Sequence, residues 1–249
     1  MQKNHTVGII IPTLNPDHIF EENLKLLSSL NLKVLIIDSN SSINVNKIAK
    51  RYKANFVKEN NFNHGSTREK ARKMLKTDIV VYMTQDAKLQ SSESIQNLIK
   101  PLIEGKASVS YGRQIPVKNA GILESFPVEF NYTEMSNVRS LNDIDKYGVG
   151  TFFCSDVFSA YINEDLNNVG GFDHVLTGED YFMCYKILLD NKSVAYVSNA
   201  CVIHSHNFSL IENFNRMFDT GYVRGERKHI QDLVGHPDSR GMQLTVSMF

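Results

Sequence analysis

Two adjacent carboxylates, Glu179 and Asp180, follow the turn Thr177-Gly178 at the start of a helical pattern. Such a pair suits general-base catalysis. An alcohol is a poor nucleophile at neutral pH, and a positioned carboxylate removes its proton as the new bond forms. Burying two acids side by side raises one pKa toward neutrality, as a base requires. The same four residues also read as a capping box with Asp180 at the third helical position, and one residue can serve both ends.

Asp86 lies just past an apolar run in Met83-Thr84-Gln85-Asp86-Ala87. A hard divalent cation, Mg2+ or Mn2+, that bridges two phosphates needs oxygen ligands, and Asp86 can supply one. His204-Ser205-His206 puts two imidazoles on one face of an extended segment, as metal or diphosphate ligands or as hydrogen-bonded structural histidines. Asp38 ends another apolar run, where a carboxylate can accept the imide N–H of uracil or thymine, or a ribose hydroxyl. Its plainer role is an Asx turn or a helix cap. Thr13 and Asn15 end the first apolar run, as nucleotide contacts or as turn residues before Pro16. In Asn63-His64-Gly65-Ser66-Thr67-Arg68-Glu69, Gly65 permits close backbone approach, the helix start attracts anions, and Arg68 can fork onto phosphate. The plainer reading is an N-cap by Ser66 or Thr67 supported by Glu69.

These residues need a sheet whose strand ends converge. Residues 7–11, 34–37 and 79–83 are continuous apolar runs, suited to parallel strands covered on both faces. Between them, residues 19–30, 44–52, 66–75 and 91–103 carry apolar stripes at helical spacing, and 107–112 reads as a fourth strand. Alternation of this kind predicts right-handed βαβ units in an open, mostly parallel sheet. Over residues 114–147 the pattern fades into prolines, aromatics and isolated charges, which reads as a long loop or mobile flap. Order returns at 151–154. A helix is expected near 157–163 and another over 179–189. Short strands follow at 194–197 and 201–204, with a final helix over 209–219. A single domain is expected, with a nucleotide-binding half (1–113) and a catalytic half (114–249).

The formal net charge of the 249 residues is zero, which argues against nucleic acid as a partner. No apolar run approaches the ~20 residues of a membrane span, and the first residues lack a signal-peptide core. Cys154, Cys184 and Cys201 form no CxxC pair, so a reducing, cytoplasmic setting is expected. Arg216, Arg224, Arg227, Lys228 and His229 lie among Phe214, Met217, Phe218 and Tyr222, a combination suited to a peripheral membrane contact or to a solvated helix face.

Taken in order, residues 9–15, Thr84-Gln85-Asp86-Ala87 and Gly170-Gly171-Phe172-Asp173 followed by Gly178-Glu179-Asp180 resemble inverting glycosyltransferases of family 2. Residues 62–68, 84–87 and 202–207, with the stretch from Arg216 to Gly221, are more narrowly similar to bacterial rhamnosyltransferases. The resemblance runs from Val7 to about Arg224. It implies the GT-A fold, with a smaller acceptor-side region and a divalent cation held by Asp86, His204 and His206. It implies a nucleotide-sugar site containing Thr13, Asn15, Asp38, His64, Arg68, Gln85 and Asp86. It also implies dTDP-L-rhamnose as donor, a growing and often lipid-linked cell-surface glycan as acceptor, and work at the inner face of the plasma membrane. The general Asp-x-Asp motif is here Thr84-Gln85-Asp86. Relatives continue in helical sequence where this chain stops at Met248-Phe249, which implies C-terminal truncation. Two rival readings are a nucleotidyltransferase, which would want a glycine-rich basic loop in place of Thr13-Leu14-Asn15-Pro16, and a non-catalytic relative that binds a sugar nucleotide without turnover.

Overall fold

The structure, a computed structural model, describes residues 5–30, 32–205 and 208–234. Its frame is a sheet in the order β3-β2-β1-β4-β8-β6-β9-β5, with β7 paired to β9. The first half is all parallel: β1 (Val7–Thr13), β2 (Lys33–Asp38), β3 (Asn55–Lys58) and β4 (Ile79–Met83). In the second half, β8 (Phe158–Ile162) runs antiparallel between β4 and β6 (Val109–Ile115). Strand β9 (Val194–Ile203) is parallel to β6 and carries two antiparallel edges, β5 (Lys88–Leu89) and β7 (Asn137–Arg139).

Helices cover both faces, which is why the central strands are apolar throughout. Ile9, Ile11, Ile36, Val81 and Met83 pack under α1 (His18–Ser28), α2 (Val45–Arg51) and α4 (Glu93–Ile103). Ile10, Ile37, Val80 and Tyr82 point the other way, onto α3 (His64–Leu75), α7 (Asn163–Asn168) and α8 (Glu179–Leu189). Along β1 and β2 the two sets alternate residue by residue, as the pleat requires.

Several expectations are corrected. The helix expected near 157–163 is strand β8: Phe158 and Ala160 face one core while Tyr161 faces the other, a period of two. Residues 114–147 are no structureless flap. They hold α5 (Ile122–Asn131), β7 and α6 (Ile144–Tyr147), followed by a 3-10 turn at Gly148–Phe152. The two short strands expected over 194–204 are one, and its polar middle lies where the β6 register shifts between Gly112 and Arg113. The last two helices among the described residues are α9 (Leu210–Glu226) and α10 (Lys228–Val234).

Candidate active site

Parallel strands deliver their carboxyl ends to one edge, where the first group of site residues meets. Thr13 and Asp38 are register partners on β1 and β2, and the Thr13 hydroxyl donates to Asp38 Oδ1 at 3.1 Å. Asp38 is buried and also accepts from the Ser41 backbone N–H at 3.1 Å and from the Ser41 hydroxyl. Asn15 takes a left-handed backbone (φ 47°). Its Oδ1 accepts from the Ser42 N–H at 2.7 Å and from the Ser42 hydroxyl at 2.8 Å. Gln85 clamps the Leu14 main chain, accepting from its N–H at 2.7 Å and donating to its carbonyl at 3.0 Å. These bonds hold the loops after β1, β2 and β4 as one rim. The turn roles of Asp38 and Asn15 are thus present in the structure.

The second group lines a cleft of about 430 Å³. Glu179 and Asp180 open α8 behind Gly178, whose φ of 75° is a left-handed cap without a side-chain bond. The capping box expected at Thr177-Gly178-Glu179-Asp180 is therefore not formed, so Asp180 is not held there as a cap. Instead its Oδ2 accepts from the backbone N–H of Asp156 at 3.2 Å, and its Oδ1 from that of Tyr181 at 2.7 Å. Arg68 is buried and reaches Glu179 at 2.9 Å and Asp156 at 3.0 Å. The sequence assigns this guanidinium to phosphate; the structure engages it with two carboxylates. His64, half exposed, stands 3.7 Å from Glu179.

Those contacts divide the adjacent acids. Burial alone would raise Glu179, but Arg68 and His64 outweigh it and hold the carboxyl down at about 2. Burial raises Asp180, and the nearby Glu179 and Asp156 charges push it further, to about 8. Among the described residues Asp180 has no cation contact like that of its neighbour. A carboxyl tuned in this way can accept a proton near neutral pH.

The start of α3 is also corrected. Asn63, not Ser66 or Thr67, caps it, accepting from the Ser66 N–H at 3.0 Å. A Cβ on Gly65 would lie 1.8 Å from the Asp173 carbonyl oxygen, so the missing side chain admits this chain's own backbone. Glu69 accepts from the Phe172 N–H at 3.0 Å, and Asn63 donates to the Val175 carbonyl at 2.7 Å. Asp173 is anchored by Lys186 at 2.5 Å and Arg227 at 2.9 Å. The glycine-rich segment is therefore pinned to α3, and that contact sets where α8 begins.

Asp86 and His204 meet because β5, which starts just after Asp86, pairs with the end of β9. Asp86 Oδ2 is 3.5 Å from His204 Nε2, and His204 Nδ1 donates to Gln114 at 2.8 Å. His206 and Asn207 lie outside the described residues. Among the described residues no group of three or more His, Cys, Asp or Glu gathers into a metal site. One carboxylate and one imidazole nevertheless fit a cation that takes its other ligands from phosphate. Nearby, the buried Thr84 hydroxyl has no hydrogen-bond partner among the described residues.

Sequence reasoning missed Asp156 and Gln114. Gln114 donates to Ser155 at 3.0 Å and so ties His204 to the segment carrying Asp156. The available signal was the alternation of Ser159 and Tyr161 after Asp156, both of whose hydroxyls donate to it.

Residues 8–170 match the model of Glycosyl transferase family 2. The O-antigen chain rhamnosyltransferase RfbN of Salmonella typhimurium is 34% identical over 97% of this chain and 79% of that protein. WbaN of Salmonella anatum, also an O-antigen chain rhamnosyltransferase, is 32% identical over 96% and 78%. Glucosyl-3-phosphoglycerate synthase from Mycobacterium tuberculosis, solved with Mn2+, UDP and glucosyl-3-phosphoglycerate, superposes with a TM-score of 0.62 at 18% identity, covering 95% of this chain and 82% of that one. The mannosyltransferase PcManGT from Pyrobaculum calidifontis, in complex with GDP-Man and Mn2+, gives 0.62 at 16% identity; 82% of this chain matches 57% of that larger one. With this family match and these identities over nearly its whole length, the chain belongs to glycosyltransferase family 2 and is a glycosyltransferase of GT-A fold.

Proposed function

We propose that the protein transfers L-rhamnose from dTDP-L-rhamnose to a growing cell-surface glycan with inversion at the anomeric carbon, Asp180 acting as general base. One observation carries the base assignment: in a cleft at the strand ends Arg68 engages Glu179, while the adjacent Asp180 is met by backbone N–H groups. The two rhamnosyltransferase relatives support the donor sugar. In the reaction, Asp180 takes the proton of the acceptor hydroxyl as its oxygen attacks C1 of the sugar, and the bond from C1 to the diphosphate breaks in the same step. Thr13, Asn15, Asp38 and Gln85 shape the nucleotide side, with His64 at the mouth. Asp86 and His204 would hold a divalent cation, which when bound supplies positive charge to the departing diphosphate.

Membership of a glycosyltransferase family sets aside the nucleotidyltransferase reading, and the intact Glu179-Asp180 pair argues against a non-catalytic one. No helix among the described residues is long and apolar enough to cross a membrane. Helix α9 exposes Leu210, Ile211, Phe214, Met217, Phe218 and Tyr222, an outward apolar face beside the cleft. Of its two arginines, Arg224 turns inward over Tyr181, as does Arg227 just past its end over Phe182, whereas Arg216 is exposed and lies over Phe208. A peripheral membrane contact through α9 would therefore rest more on apolar burial than on charge. The test of the donor is thermal shift with dTDP, UDP, GDP and ADP in the presence of Mn2+, followed by turnover with the matching sugar nucleotides. Pyrimidine diphosphates should stabilise most, by ~2.7 kcal/mol at a hundredfold excess over Kd. Stronger stabilisation by GDP or ADP would refute the donor.

A further inference from the structure

The cleft gathers three carboxylates around one guanidinium, and the cation is not shared equally. Arg68 contacts Glu179 and Asp156. Among the described residues Asp180 receives only backbone N–H groups, one of them from Asp156 itself. Asp156 is the joint of the arrangement. It is 2% exposed, its Oδ2 meets Arg68, and its Oδ1 accepts from the hydroxyls of Ser159 at 2.6 Å and Tyr161 at 2.7 Å. With its oxygens held by this chain's own groups, it is placed to organise its neighbours.

We infer that Asp156 is a positioning residue that assigns the roles in the acid pair: through Arg68 it keeps Glu179 as the ionised partner, its backbone N–H holds Asp180 in place, and its own charge leaves Asp180 as the proton acceptor. This rests on the transferase reading above. The remaining groups facing Asp180 leave that field intact. From α3, the His64 ring lies closest to Glu179. Burial pushes Cys154, Tyr161 and Tyr132 above their usual ranges, so all three stay neutral. From α9, Arg224 sits over the Tyr181 ring, 5.0 Å from its centre, and Arg216, which also lines the cleft, sits over the Phe208 ring at 4.3 Å.

The test is a carbon-13 NMR titration of the side-chain carboxyls between pH 5 and 10, with the Asp180 signal assigned by its loss in Asp180→Asn. Asp156→Asn keeps the shape and the backbone N–H but removes a charge. It should lower the Asp180 midpoint by about one pH unit, a tenfold gain in ionised form at a given pH below it. Tyr161→Phe, which removes one donor to Asp156 and the hydroxyl's contact with Cys154 and so eases Asp156 protonation, should shift the midpoint less and in the same direction. It is also the variant to read if Asp156→Asn does not fold. The acid limb of kcat/KM should follow these midpoints. An Asp180 midpoint unchanged in the folded variants, or lying in the ordinary carboxylate range in the parent, would overturn the inference. If the midpoints move as stated while no sugar is transferred, the positioning stands and the catalytic reading of Asp180 fails.

Discussion

Replacing Asp180 by asparagine should remove a loss of stability with rising pH as well as stop catalysis. The native carboxyl titrates near 8 against an ordinary value of 3.8. Below pH ~4 both the folded and unfolded chains hold this proton, and the group contributes no difference. Between those values the folded state retains the proton while the unfolded state releases it. Stability therefore falls with rising pH, by at most about 1.4 kcal/mol per unit from this group. Glu179 has the opposite sign: held at about 2, it stabilises the fold above its ordinary 4.5 and loses that contribution only as pH falls. Burial also raises Asp156, so it is the difference between parent and variant, compared at pH 5.5 and 8, that reads Asp180. Asparagine carries no charge and can accept from only one of the Asp156 and Tyr181 N–H groups, a loss common to both pH values that cancels in the comparison. Allowing for solvent in the open cleft, the variant should gain roughly 1–3 kcal/mol on the parent between the two pH values. Urea unfolding with a common m-value reads this directly. If parent and variant lose stability equally from pH 5.5 to 8, the raised pKa, and the account of the acid pair built on it, is wrong.

Other outcomes follow from the same geometry. Asp86→Ala should remove most of the Mn2+ dependence of nucleotide binding in calorimetry, whereas Glu179→Ala should leave it; unchanged metal dependence in the Asp86 variant would exclude it as a ligand. Gly65→Ala drives a Cβ into the Asp173 carbonyl. It should cost about 1–3 kcal/mol and depress transfer by displacing the lead-in to α8, and parent-like melting and turnover would show that the contact is dispensable. Phe214→Ser with Phe218→Ser should weaken co-sedimentation with anionic vesicles, and parent binding should persist in high salt because the exposed face of α9 is apolar. Binding abolished by salt would return the contact to the arginines.

The parts of the fold that were readable share a cause. Strands β1, β2 and β4 are buried on both faces, so their sequences are apolar without interruption. Helix α8 was placed at Glu179–Leu189 because its apolar residues start directly after the acid pair. Strand β3, Asn55-Phe56-Val57-Lys58, lies at the sheet edge with polar ends and is too short to show alternation. Strand β8 was hidden because Asn163, Glu164 and Asp165 follow it at once and belong to α7, which lent a helical texture to the whole stretch. Among the site residues, Asp180 and Glu179 were legible because helix starts announce themselves. Arg68 was legible as a charge but not by its partners, since its ion pairs join residues 88 and 111 positions apart. Asp156 was lost with β8: its significance depends on Ser159 and Tyr161 sharing a face, and a helix would have separated them.

The most direct test is transfer of labelled L-rhamnose from dTDP-L-rhamnose to a glycan acceptor, with rate, product configuration and donor Kd measured on one folded preparation of the parent and of Asp180→Asn. The account predicts a product of inverted anomeric configuration and a rate 10²–10⁴-fold lower in the variant at near-parent donor affinity. Parent-like turnover by Asp180→Asn, or retention of configuration, would contradict it.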